Sequence, residues 1–213
     1  MGHQPLCAAP AMTPAGWLRR YVAHPDPATA AANLVAVVVA GNGPFYPLYV
    51  LALSGWDRTG AWLTMLASPV FFSVPAISRR SSRAGRLALL VIGTANTVWC
   101  AALLGGASGV ELFLLPCTVL AALMFRPAER QAGLLVMGVA TLLMVVLTMC
   151  PFSGLMSLSA NDAAALMRLH AISVATLTAF VSITLVNVLT EMSRIANLSD
   201  SQPSLAGNTP EQL

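Results

Sequence analysis

The sequence has no lysine: all eleven basic side chains among its 213 residues are arginine, and eight acids leave a formal charge of +3. Only 9% of the residues are charged against 57% hydrophobic, with a mean hydropathy of +0.75. A soluble domain carries roughly 25% charged residues, so an ordinary soluble enzyme is excluded. Without lysine there is no phosphate-cradling Gly-x-x-x-x-Gly-Lys sequence. His-Glu-x-x-His, Gly-x-Ser-x-Gly and the Rossmann glycine pattern are absent too. A nucleic-acid partner would require arginines gathered on one water-facing surface; here they stand between long apolar runs. What remains is an integral membrane protein in a lipid bilayer.

A membrane-crossing helix needs about 20 apolar residues for a hydrocarbon core of roughly 30 Å. Six runs qualify, at residues 29–53, 61–77, 87–104, 110–125, 132–150 and 163–190. The second and fourth are short and the sixth is long enough to project beyond the bilayer. Gly41-Asn42-Gly43-Pro44 and Pro47 interrupt the first. One kinked helix is expected there, because each half alone is too short to span. Pro69, Pro75 and Pro116 also fall inside runs, and each frees a backbone carbonyl that a neighbour, a Ser/Thr or water must satisfy. Such kinks open cavities of the kind a receptor or transporter needs. The fold class is therefore all-α, a six-helix up-and-down transmembrane bundle linked by short connections. Residues 1–28 form an N-terminal segment, 29–192 the transmembrane domain and 193–213 a polar tail of disordered composition.

Short connections make arginine a test of orientation. Arg19, Arg20, Arg79, Arg80, Arg83, Arg86, Arg126, Arg130 and Arg194 fall on one side, and Arg58 and Arg168 on the other. Nine against two predicts both termini in the cytoplasm. No cleaved signal peptide is expected, because the stretch before Arg19-Arg20 lacks a continuous apolar core. No internal repeat supports an inverted-repeat transporter.

Ionisable groups within a membrane are functional candidates by default. Glu111 opens the fourth run, while Arg168 and His170 occupy the first turns of the sixth, so all three sit towards the outer leaflet. A Glu111–Arg168 pair is sterically feasible. Arg168 and His170, two apart, point about 200° from each other on a helix. Asn42, Asn96 and Asn187 lie deeper, Trp99 stands one turn outward of Asn96, and Tyr46 sits in the interruption of the first run. Structural readings compete: a helix N-terminus favours Glu111, Arg168 can snorkel to the headgroups, and asparagines join helices. Haem on His170 is disfavoured as a bis-His site, because His24 lies a membrane's depth away; a five-coordinate haem stays open. Cys100 and Cys117 are expected as small core hydrophobes, Cys7 as a reduced thiol, and no cysteine pair has metal spacing.

The run ELFLLPCTVLAALMFRPAER, residues 111–130, resembles the fourth helix and following turn of six-helix domains. Those domains stand at the N-terminus of some bacterial membrane-bound adenylate cyclases and sensor histidine kinases. The small turn before Glu111, the Gly-Pro-x-Tyr-Pro sequence at 43–47 and the exit of the sixth run through LTEMSR, residues 189–194, look similar as well. The resemblance covers roughly 23–194. It implies a receptor or anchor of the bacterial inner membrane that biases a cytosolic signalling partner, with a small lipophilic or redox signal held in the bundle. No cyclase or kinase sequence follows within the 213 residues, so neither activity is implied. The expectation is a non-enzymatic receptor-like bundle, with a homodimer as one assembly. A small transporter or permease subunit using the proline-kinked runs is the alternative, and a haem redox protein a third.

Overall fold

The computed structural model describes residues 13–150 and 152–200, and every regular element among them is helical. α1 (Pro14–Val22) starts on Thr13, whose hydroxyl accepts from the Gly16 amide at 3.2 Å, with Pro14 in the first turn. That is the favoured N-terminal chemistry. This short helix was not foreseen within 1–28. Trp17 and Tyr21 stack with Phe72, and the Tyr21 hydroxyl donates to the Phe72 carbonyl at 2.6 Å.

The first apolar run is one continuous span, Pro27–Ser54. It consists of α2 (Pro27–Asn42), a 3₁₀ turn (Gly43–Phe45) and α3 (Tyr46–Ser54). Proline explains the tightening. Pro47 has no N–H for the Gly43 carbonyl, and the Tyr46 N–H serves it instead, three residues on. The same substitution operates in the second run, Thr59–Ser78. Pro69 cannot serve Met65, so the Ser68 N–H does, at the end of a nine-residue 3₁₀ stretch (Thr59–Ala67). α4 (Ser68–Phe72) and α5 (Val74–Ser78) complete that span. The freed carbonyls are thus satisfied within the chain itself. Gly43 also lets the two broken spans meet, because a Cβ there would lie 1.8 Å from Ser68 Oγ.

α6 (Ser82–Leu104) is the third span. The fourth run is a 3₁₀ turn (Val110–Phe113) followed by α7 (Leu114–Leu123), and α8 (Arg130–Met149) and α9 (Ala160–Asp200) follow. Five helical stretches are long and apolar enough to cross a membrane; Val110–Leu123 is shorter than these, at about 23 Å from its helical rises. Its start lies beside the Ser108 turn that meets His170 near the beginning of α9, and its end leads to Arg126, which meets Asp26 at the beginning of α2. α9 extends to Asp200, so residues 193–200 are helical where a disordered tail was expected. Adding a turn to an existing helix carries no nucleation cost. The rest of that tail, 201–213, lies outside the described residues, as do 1–12 with Cys7.

Packing divides the bundle by depth. At the arginine-rich end, Ala32, Ala36, Leu90, Met124 and Val181 belong to one core formed by α2, α4, α5, α6, α7 and α9. At the opposite end Val50, Leu51, Ala61, Leu103, Leu104 and Leu166 form another. α8 lies at the periphery against α7 and exposes Leu135, Leu142 and Met149, as a lipid-facing helix does.

Candidate functional site

Between the two cores lies a chamber of about 650 Å³, within the range typical of small-molecule sites. The broken first and second spans, α6, α7 and α9 wall it; α1 and α8 contribute nothing. Its lining is mostly hydrocarbon. Among the described residues no Asp, Glu, Lys, Arg or His faces it; polar contributions come from residues such as Asn42, Tyr46, Ser68, Asn96 and Ser173.

Three of the residues singled out in the sequence, Asn42, Tyr46 and Asn96, therefore meet on one cavity. His170 stands directly behind Tyr46. Its ring is fully buried, with Nε2 2.7 Å from the Tyr46 hydroxyl and Nδ1 2.7 Å from the Ser108 carbonyl. A carbonyl only accepts, so Nδ1 carries the proton and Nε2 accepts from the Tyr46 O–H. Tyr46 stacks on one side of the ring and Phe113 meets it edge-on. Both nitrogens are spent and the ring is fully buried, so His170 does not fit a haem, and no chemistry is assigned through one. Among the described residues no group of three or more His, Cys, Asp or Glu could hold a metal.

The other candidates fall elsewhere. Trp99 is exposed outside the chamber, its indole N–H donating to the Leu63 carbonyl at 3.0 Å. Arg168 is exposed, as its two-residue offset from buried His170 dictates. Glu111 is buried with one carboxylate oxygen unpartnered, and it forms no ion pair with Arg168. Asn187 is exposed on α9. Cys100 and Cys117, by contrast, are buried free thiols that line the chamber, and Cys150 is free and exposed.

Sequence reasoning missed a second cluster at the arginine-rich end. Arg86 is almost wholly buried, 1% exposed, and forks between Asp26 and Glu129, with a further bond to Thr29 Oγ1 at 2.8 Å. Arg126 reaches the other Asp26 oxygen at 3.1 Å. Asp26 stands at the N-cap of α2 yet caps nothing with its side chain; its carboxylate is taken by the Thr29 hydroxyl and the two guanidinium groups. Burial pushes this carboxyl up, but the Thr29 hydrogen bond and the charges of Arg126 and Arg86 outweigh it and hold it below its ordinary value. Alongside, Ser78 Oγ donates to Asn33 Oδ1 at 2.7 Å, and Asn33 donates to the Val22 carbonyl at 3.2 Å. The cluster ties the starts of α2 and α6 to the turn before α8. The signal available in the sequence was Glu129, an acid between Arg126 and Arg130 in a short connection, and Asp26, an acid just before the first apolar run.

At the opposite end, residues 152–157 lie across the end of α6. Leu155 and Met156 donate to the carbonyls of Ala102 and Leu103 at 3.0 and 2.8 Å. Arg58 bonds the Ser157 carbonyl and pairs with Asp162 at 3.4 Å, fastening this strap to the turn before the second span. The sequence matches no protein-family model, no curated protein and no solved structure, so function must be argued from this geometry.

Proposed function

We propose that the protein is a non-enzymatic, receptor-like bundle of the bacterial inner membrane that holds a small lipophilic molecule in the central chamber and passes its state along α9. The observation that carries this reading is that α9 is both wall and exit. Leu169, Ser173, Leu177 and Val181 line the chamber, and the same helix continues to Asp200. Its 41 residues measure about 60 Å at the helical rise, twice the hydrocarbon thickness, so one rigid element joins the chamber to water. The nine-to-two arginine division supports six crossings with both termini in the cytoplasm. On this reading the far end of α9 meets a cytosolic signalling protein, as in the six-helix domains that the sequence resembles.

The Tyr46–His170–Ser108 bonds give the coupling a route, because a molecule that displaces Tyr46 loads a buried ring on α9 directly. The test fills the chamber from within. A nitroxide on residue 193 should change mobility between the wild type and Ser173→Phe in nanodiscs, and native mass spectrometry should show that the variant loses a co-purifying small molecule. An unchanged spectrum and unchanged bound mass would sink the proposal. Transport through the proline-broken spans is the competing reading; vesicle flux abolished by Asn42→Ala would favour it.

A further inference from the structure

The chamber's walls are chemically unequal, and the inequality specifies what it holds. On every wall the lining residues nearest the arginine-rich end are hydrocarbon: Val35 and Val39 on the first span, Phe71 on the second, Leu89 on α6, Leu120 on α7 and Val181 on α9. Hydrogen-bonding groups lie farther along, where the first span breaks. Asn42 precedes the 3₁₀ turn, Ser68 abuts Gly43, and Asn96 lies one helical turn before Cys100, which shares a cluster with Tyr46.

Four of the hydroxyl groups on the lining are already spent. Thr64, Thr97 and Thr176 donate back to carbonyls of their own helices, and the Tyr46 hydroxyl is given to His170. Among the described residues the side chains of Asn42, Tyr49, Ser68 and Ser173 have no hydrogen-bond partner, and Asn96 has only a thiol contact, Cys100 Sγ to its Oδ1 at 3.8 Å. Two primary amides and three hydroxyls, those of Ser68, Tyr49 and Ser173, thus line a mostly apolar space with their hydrogen-bonding capacity largely unspent, the amides and Ser68 nearest the break in the first span. Hydrocarbon cannot meet that need, and leaving amides unpaired in an apolar medium costs kilocalories. Among the described residues no charged group lines the chamber, so a charged ligand would enter without a counter-ion from them.

We infer that the chamber takes an uncharged amphiphile, with a hydroxyl or carbonyl head bound at Asn42, Ser68 and Asn96 and a hydrocarbon body directed towards the arginine-rich end. This rests on the receptor reading above and adds the ligand's class and its direction. A hydroxyl head matches the mixed donors and acceptors, since each amide offers both and a hydroxyl can answer either.

The full chain in phosphatidylcholine nanodiscs provides the test. Two photoreactive dodecan-1-ols are used, one with its diazirine at carbon 2 and the other at carbon 11, and the crosslinks are mapped by peptide mass spectrometry. The head-end probe should label residues 42–46, 68 and 96; the tail-end probe should label 35–39, 71, 89 and 177–181. Unlabelled dodecan-1-ol should compete at least tenfold better than dodecane, dodecanesulfonate or dodecyltrimethylammonium. In Asn42→Leu/Asn96→Leu the advantage over dodecane should fall to about twofold or less, with thermal unfolding recorded to verify the fold. Reversed or indiscriminate labelling inside the chamber, or equal competition by either charged probe, overturns the class and direction but leaves a lipophilic site standing. Failure of both probes to label the chamber overturns the receptor reading with it. The labelling arm uses wild-type protein, so the test does not depend on the variant folding.

Discussion

Arg86 shows how burial turns an ordinary charge into a determinant of the fold. Its guanidinium is out of water and held by two carboxylates and a hydroxyl, so deleting it strands Asp26 and Glu129 rather than merely removing one attraction. Breaking a buried pair on one side costs about 3–5 kcal/mol. Arg86→Met should therefore lower the unfolding temperature sharply in detergent calorimetry, and adding Asp26→Leu and Glu129→Leu should recover much of the loss. Failure of that triple variant to recover anything would contradict the electrostatic account. Asp26 adds a pH signature. Its folded-state pKa lies below the ordinary value near 3.8, so its contribution is complete above that value. It is lost as pH falls through the depressed folded value. An acid titration of thermal stability should fall more steeply in the wild type than in Asp26→Asn below about pH 4, and parallel curves would refute it. From the sequence, Glu129 is visible as an acid beside an arginine and Asp26 as an acid at the edge of the first apolar run. Their convergence on Arg86 is not, because 60 and 43 residues separate the partners.

At the scale of elements, proline decides the local geometry in a way the sequence announces. Pro47 and Pro69 each remove one N–H, and each time the residue before supplies the missing bond in 3₁₀ form. The positions of the breaks are legible; the nine-residue length of the second 3₁₀ stretch is not, because it depends on packing against α3 and α6. The strap over the end of α6 is another feature that only close approach explains. A Cβ at Gly154 would lie 2.3 Å from the Gly105 nitrogen and 2.6 Å from the Leu103 oxygen. Both are backbone atoms and cannot swing aside. Gly154→Ala should lift the strap, seen as much faster hydrogen exchange at the amides of Gly106, Leu155 and Met156, with α2 and the Arg86 cluster unaffected. Unaltered exchange at those three amides would show that the strap has room to adjust.

At the scale of the whole molecule, the arginine division and the helical layout meet in the short fourth segment. If both termini are cytoplasmic, Val110–Leu123 must cross although it is shorter than the other spans, with the bilayer thinning locally or flanking residues reaching outward. The turns at its two ends settle this. In a background lacking native cysteines, Ala107→Cys should react with a membrane-impermeant maleimide on intact cells, and Ala128→Cys only after permeabilisation. Reaction of both from the same side would remove the fourth crossing and the proposed topology with it. Composition determined the membrane class, because 9% charged residues cannot clothe a water-soluble surface. The runs and their prolines determined where helices form and tighten, since hydrogen bonds between near neighbours depend on local sequence. Tertiary structure alone decided that Asn42, Tyr46 and Asn96 share a chamber while Trp99, Glu111 and Arg168 do not. A side chain's distance along the chain is set by sequence, but the face it shares with another helix is set by rotation and packing, and these depend on every neighbour at once.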